Sequence, residues 1–210
     1  MSDPVTEFYN VFAGEYAATF FNELDYKAFD RDILARFARL TGGKGIVCDV
    51  GCGPGHIGLF LSRQGARVIG IDMSAEMLEQ AKIHCPGIEF QHGDMLNLSF
   101  PDNFMGGIVA FYAIVHLLPA KVSDALREFY RVLASGGYLL FSCHLGEEVI
   151  RVDKAGEERV VSVDYIFHDP DDLIARTQQV GFIIEEAVIR YPYKDVEYPS
   201  KRAYILARKD

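Results

Sequence analysis

Apolar residues mark two helices ahead of any strand. Val5, Phe8, Tyr9, Phe12, Tyr16 and Phe20 share one helical face over residues 5–20, and Phe29, Ile33, Leu34, Phe37 and Leu40 do so over residues 25–40. Thr41-Gly42-Gly43 closes the second helix, as glycine past the last turn commonly does. From residue 46 the texture changes to short apolar runs at 46–48, 67–71, 88–91, 107–111, 138–143, 182–190 and 203–208, which predict strands. Helical spacing lies between them: Ile57, Leu59, Phe60 and Leu61; Met77 and Ala81; then Val122, Ala125, Leu126, Phe129 and Leu133, with Gly136-Gly137 as the expected stop. Asp169-Pro170-Asp171-Asp172 reads as a cap, a proline at the first helical position and acids in the first turn, and Gly181 ends that helix. Strands alternating with helices predict an α/β protein with a largely parallel sheet.

Residues 145–168 break the alternation. Val149-Ile150-Arg151-Val152 and Val160–Val163 flank the polar stretch DKAGEE, which predicts a β-hairpin inserted between the fifth strand and the last helix.

Composition narrows the class. A chain of 210 residues is expected to form one domain over 1–210 with a full core. The opening MSDPVTEFYN lacks a signal-peptide pattern and no apolar run reaches membrane-spanning length, so the expectation is a cytoplasmic protein with no membrane partner. A net charge of −9 argues against a nucleic-acid groove, which needs clustered Lys and Arg. Cys48, Cys52, Cys85 and Cys143 form no C-x-x-C pair, favouring reduced thiols over a disulfide frame or a zinc site. Monomer and homodimer both remain open.

The candidate chemistry gathers on Ile46–Gly58, IVCDVGCGPGHIG. An apolar strand runs into Asp49, and glycines follow at 51, 53 and 55, ahead of a helix. Glycine accepts positive φ and lets a ligand touch bare backbone, and the helix N-terminus faces whatever sits there. Gly53-Pro54-Gly55-His56-Ile57-Gly58 is also a literal G-x-G-x-x-G, so a dinucleotide is a second reading. Asp72, at the end of the second strand, can accept from ribose hydroxyls of either ligand, and the thioethers of Met73 and Met77 suit an adenine face. Ser74 is the expected cap of the helix from Ala75.

Asp49-Val50-Gly51-Cys52-Gly53-Pro54-Gly55 resembles the first motif of the class I S-adenosylmethionine-dependent methyltransferases of the small-molecule type. The resemblance implies a Rossmann-like, seven-stranded, mostly parallel sheet of order 3-2-1-4-5-7-6 with the last strand antiparallel, helices on both faces, and variable elements as a lid over the acceptor. It implies S-adenosylmethionine as methyl donor, S-adenosylhomocysteine as product and a small-molecule acceptor. By the same resemblance Asp49 meets the donor's ammonium, Gly51, Cys52, Gly53 and Gly55 form the loop beneath its amino-acid tail, and Asp72 takes the ribose. Gly93-Asp94-Met95 is similar to the segment that reads adenine, with Asp94 on the amino group and the Met95 N–H on a ring nitrogen. YNVFAGEY is similar to the family's Y-D-x-x-A-x-x-Y opening, in which Tyr16 would close over the methionine carboxylate; Asn10 departs from the usual acid.

Phe111, with Tyr16, offers an aromatic face to a sulfonium. FYAIVH, residues 111–116, lacks the N/D-P-P-Y/F motif of nucleic-acid amino-methyltransferases. His116, after the fourth strand, is a candidate general base, and His144, at the end of the fifth, a candidate catalytic group on the substrate side, with Tyr16 a third candidate catalytic group. Tyr165, Phe167 and His168 of the hairpin and Tyr191, Tyr193 and Tyr198 of the last loop are candidate pocket walls. Two other functions fit part of the pattern: a nicotinamide-dependent oxidoreductase, which leaves Asp94 idle, and a non-catalytic S-adenosylmethionine-binding protein.

Overall fold

The structure, a computed structural model, describes residues 3–155 and 160–210. Helices α1 (Pro4–Phe20) and α2 (Ala28–Thr41) precede β1 (Ile46–Val50), and α3 (His56–Arg63), β2 (Arg67–Asp72), α4 (Ala75–His84) and β3 (Glu89–His92) follow. Then come β4 (Met105–Phe111), a 3-10 turn at Ile114–His116, α5 (Pro119–Val132), β5 (Leu133–Leu145), the hairpin β6 (Val149–Ala155) and β7 (Val160–Ile166), α6 (Pro170–Val180), β8 (Ile183–Arg190) and β9 (Lys201–Arg208).

Seven strands form one sheet in the order β3-β2-β1-β4-β5-β9-β8. β1 to β5 pair in parallel, and β9 runs antiparallel between β5 and β8. With the hairpin strands set aside this is the expected 3-2-1-4-5-7-6. Helices cover both faces, so the central β4 is buried at every residue and reads as a continuous apolar run. On one face Phe129, Leu126 and Val122 of α5 pack on Ile108, Phe141 and Ile205. On the other, Phe37 and Leu34 of α2 and Leu61 of α3 pack on Val47, Val109 and Tyr204.

One boundary departs from the sequence reading. Gly136-Gly137 does not end α5, which stops at Val132, and β5 begins at once with Leu133 in extended conformation. The two glycines serve an irregularity inside β5. Gly136 has φ +72°, and a Cβ on Gly137 would stand 2.8 Å from the Ala134 carbonyl oxygen. The hairpin stands where expected, but Asp153, Lys154 and Ala155 of the anticipated turn continue β6, and the rest of that turn, 156–158, lies outside the described residues.

Helix α1 is held against the rest of the chain from two sides. Phe8 is buried with Val161 and Val163 of β7. Asn10 accepts a hydrogen bond from the Ser74 hydroxyl at 2.7 Å, and Ser74 Oγ in turn accepts from the Met77 N–H, capping α4 as expected. The residue that departs from the family's acid thus ties α1 to α4. Among the described residues no helix is long and apolar enough to cross a membrane. All four cysteines are free and buried.

Candidate active site

A cavity of about 490 Å³ opens over the carboxyl ends of β1, β2, β4 and β5, roofed by α1, the hairpin and the loop between β8 and β9. That volume is in the range of small-molecule sites. Of the residues singled out from sequence, Tyr16, Asp49, Gly51, Cys52, Gly53, Asp72, Met73, Met77, Met95, Phe111, His116 and His144 all line it. Gly55 and Asp94 do not appear on its wall.

The glycine loop is fixed by hydrogen bonds from both sides. The N–H groups of Gly51 and Cys52 donate to the Ile71 carbonyl at 2.8 and 3.0 Å, and the Gly53 N–H donates to Asp72 Oδ2 at 2.8 Å. The glycines have different tasks. At Gly53 (φ +51°) an added Cβ would meet only Tyr16 Cε1, at 3.9 Å, so the backbone is bare toward the cavity. At Gly55 (φ +85°) it would stand 2.9 Å from the Phe90 ring, so this glycine serves the packing of α3 against β3. Gly55, expected to touch ligand, lies off the cavity wall and has a packing role.

Asp49 is 1 % exposed and its Oδ2 accepts from the Gly58 N–H at 2.9 Å. Burial pushes its carboxyl up to about 7, opposed by the nearby His56 and the Gly58 N–H. Asp72 accepts from the N–H of Ser74 and of Gly53, each at 2.8 Å, and burial raises its carboxyl above the usual range despite these bonds. Two buried carboxylates with backbone partners on one cavity wall favour a cationic ligand, because a buried charge is costly without a counter-charge. With bare backbone at Gly53 and the thioethers of Met73, Met77 and Met95 beside them, these residues fit an adenosyl sulfonium. Asp94 instead folds back, its Oδ1 accepting from the Leu96 N–H at 2.8 Å in a tight turn below Met95.

The other half of the cavity is aromatic and polar. Tyr112 follows β4 with φ +54°, a costly conformation for a bulky side chain and one that clusters at functional sites. Bonds hold it there: its N–H donates to Ser142 Oγ at 3.0 Å, and its hydroxyl lies 2.7 Å from that of Tyr204, which donates to the fully buried Asp30. His144 contacts Ser200 Oγ through Nδ1 at 2.7 Å and stacks on Phe167. Burial, then Arg202 and Lys27, hold its ring down at about 4, so it is neutral at physiological pH. His116 packs between Tyr9 and Tyr165.

Of the other expected walls, Tyr165 and Tyr198 line the cavity, whereas Phe167, His168, Tyr191 and Tyr193 do not. Phe167 backs His144, His168 is buried, Tyr191 is exposed, and Tyr193 accepts from the Phe29 N–H. Sequence reasoning missed several charged residues around the cavity. Lys27 pairs with Glu23 at 2.5 Å, and Glu23 with His56 at 3.0 Å. Burial opposes ionisation of Glu23, but the bond and charge of His56, with Lys27, outweigh it and hold the carboxyl at about 2. Glu197 binds Arg190 through both oxygens, at 2.8 and 2.6 Å, and lies 3.2 Å from Arg202. Nothing in YPYKDVEYPSKR distinguishes a buried pair from a solvated loop, and Lys27 precedes its helix without a pattern.

Comparison with known proteins gives the same assignment. The methyltransferase domain family matches residues 47–137. A malonyl-[acyl-carrier protein] O-methyltransferase of Yersinia pestis is 34% identical over 97 residues, 46% of this chain and 36% of that one. The chain spans between about a third and a half of the length of the first curated relatives it matches, 36%, 45% and 52%. Among solved structures, the DhpI–SAH complex superposes with a TM-score of 0.73 at 23% identity, covering 98% of this chain and 95% of that one. The PH0226 protein of Pyrococcus horikoshii OT3 superposes with a TM-score of 0.73 at 19% identity, covering 97% and 99%. Residues 47–137 thus match the methyltransferase domain family, and the fold built around them is shared with these solved structures.

Proposed function

We propose that this protein transfers the methyl group of S-adenosylmethionine to a small-molecule acceptor. The observation that carries the proposal is the two-part cavity: buried carboxylates and bare glycine backbone on one side, aromatic and titratable side chains on the other, with Phe111 and Tyr112 between them. When bound, S-adenosylmethionine supplies a methyl group already activated by the sulfonium charge. The protein's own work is then orientation and exclusion of water.

In this reading Asp49 holds the ammonium, Asp72 the ribose hydroxyls, and Gly51, Cys52 and Gly53 the amino-acid tail. Met73, Met77 and Met95 flank the adenine, and Asp94, whose Oδ1 accepts from the Leu96 N–H, has its second oxygen for the amino group. Tyr16 faces Gly53 across the cavity and closes over the tail, with Phe111 beside the sulfonium. The hairpin serves as a lid, and His116 and His144 face the acceptor. An acidic surface and a cavity shared with a nucleoside both favour a compact acceptor over a nucleic acid.

Calorimetry with S-adenosylhomocysteine and with NAD tests the reading. Saturable binding of the first and none of the second is expected; the reverse result excludes methyl transfer. Binding of S-adenosylhomocysteine without turnover of any acceptor in a broad panel would make the protein a binder instead.

A further inference from the structure

Three side chains from three elements meet on the acceptor side of the cavity. Tyr9 of α1 has its hydroxyl 2.8 Å from His116 Nε2 and 3.3 Å from the hydroxyl of Tyr165 of β7. His116 Nδ1 lies 2.8 Å from the backbone carbonyl oxygen of Asp164. A carbonyl can only accept, so Nδ1 carries the hydrogen, and in the neutral ring Nε2 is the acceptor. Tyr9 therefore donates to Nε2, and Tyr165 donates to Tyr9. Both hydroxyl hydrogens of this relay point toward His116.

Tyr9, His116 and Tyr165 all line the cavity. Burial lowers the His116 pKa, opposed by the Asp164 carbonyl; Asp3, the cap of α1, and Asp164 on β7 are the carboxylates that act on it. The neutral ring is free to take a proton. Burial, then the neighbouring Tyr165 and Tyr16, push the Tyr9 phenol well above its usual value, so it passes a proton on without keeping the charge. The longest link is the 3.3 Å contact to Tyr165. Its hydroxyl stands where another hydroxyl inside the cavity can donate to Tyr9. The same cavity is lined by the rings of Tyr112, Tyr165, Tyr198 and His144, which suit a flat guest.

Resting on the methyl-transfer reading, the geometry points to a small phenol as the acceptor, methylated on oxygen, with Tyr9 touching its hydroxyl and His116 drawing the proton through Tyr9. The phenol O–H proton moves to the Tyr9 oxygen as the Tyr9 proton moves to Nε2. The phenol oxygen's electron pair forms the new O–CH3 bond, and the pair of the broken S–CH3 bond stays on sulfur. His116 ends as an imidazolium donating to Asp164 and Tyr9, and later returns its proton to solvent. A carboxylate, ionised at neutral pH, needs none of this.

The test starts with protein saturated with S-adenosylhomocysteine, titrated with phenol and with benzoate while the His116 ring signals are followed by NMR. Phenol is expected to bind and move those signals, and benzoate is not. Methyl transfer to phenol, measured between about pH 6 and 9, is expected to rise with pH to a plateau as His116 loses its proton. Tyr9→Phe and His116→Gln should each lower kcat about 100-fold with unchanged affinity for S-adenosylhomocysteine, and His116→Gln should remove the low-pH limb. Glutamine can still donate to Asp164 and accept from Tyr9, so a loss of rate there is not a loss of fold. Benzoate binding in place of phenol, no engagement of His116 by phenol, or undiminished rates in both variants would each overturn the inference. Failure of S-adenosylhomocysteine itself to bind would instead bring down the methyl-transfer reading beneath it.

Discussion

The Gly53 N–H donates to Asp72 Oδ2 at 2.8 Å, so the loop after β1 is pinned to the acid that ends β2. One carboxylate thereby shapes the loop and faces the cavity. Asp72→Ala should weaken S-adenosylhomocysteine binding by roughly ten- to a hundredfold, the loss of a charge-assisted bond at about 1.5–3 kcal/mol. Asp72→Asn should do less, since its amide oxygen can still accept from Gly53. Calorimetric titration of both variants checks the order; equal affinities for all three proteins would remove Asp72 from the site.

Gly53 and Gly55 should part company on substitution. Gly53→Ala puts its Cβ into open cavity, so it should keep most of the fold, at about 1–2 kcal/mol for the left-handed backbone, and lose ligand affinity. Gly55→Ala drives a Cβ into Phe90 and should add an overpacking cost of about 1–3 kcal/mol. Urea midpoints and binding curves on the two variants separate these outcomes.

Asp49 makes the ligand-free protein pH-sensitive. Its folded pKa of about 7 lies above the ordinary value of 3.8, so the folded chain holds a proton that the unfolded chain has released. The contribution is fully present below the unfolded value and is lost as pH rises through about 7, at about 1.4 kcal/mol per unit of difference. Asp49→Asn should flatten this slope, and its stability should gain on the wild type at about pH 8 relative to about pH 5. Denaturant midpoints at the two pH values read it directly. If Asp49 holds the ammonium as proposed, the same variant should also bind S-adenosylhomocysteine more weakly.

Glu197 is the counter-charge of two buried guanidiniums, its side chain 1% exposed against 10% and 3% for Arg190 and Arg202. Glu197→Ala should cost about 3–5 kcal/mol, because it strands buried charge. Tyr193 should loosen with it, since its N–H donates to Glu197 at 2.7 Å. A denaturation midpoint close to that of the wild type would show the cluster to be dispensable.

His144 should stay neutral down to about pH 5, its ring signals flat between about pH 5 and 8. Lys27→Met removes one of the cations that depress it and should move its titration upward. NMR titration of both proteins decides the point.

The donor half was legible in sequence because its parts are local. A strand, an acid and spaced glycines report their own geometry, and acids that end parallel strands next to the crossover are carried to one edge of the sheet by topology alone. Asp49 and Asp72 arrive together for that reason. Asp94 shows the limit, since sequence could not tell that its neighbours Gly93 and Met95 line the cavity while it does not. The acceptor half was illegible because its contacts join residues far apart in the chain: Tyr9 to His116, Lys27 to Glu197, Asp30 to Arg190. No local pattern encodes such partners. Gly136-Gly137 misled for a related reason, as a glycine pair serves a bend within a strand as well as it stops a helix.

Strand β9 is the latest in sequence of the described strands, yet it occupies an interior position between β5 and β8. Until residues 201–208 have left the ribosome, β5 presents an apolar flank with unsatisfied amides, the kind of surface on which nascent chains stick to one another. Maturation of this enzyme-sized sheet is therefore a matter of timing as much as of stability, and a stall or a truncation upstream of Lys201 would leave an open seam through its middle.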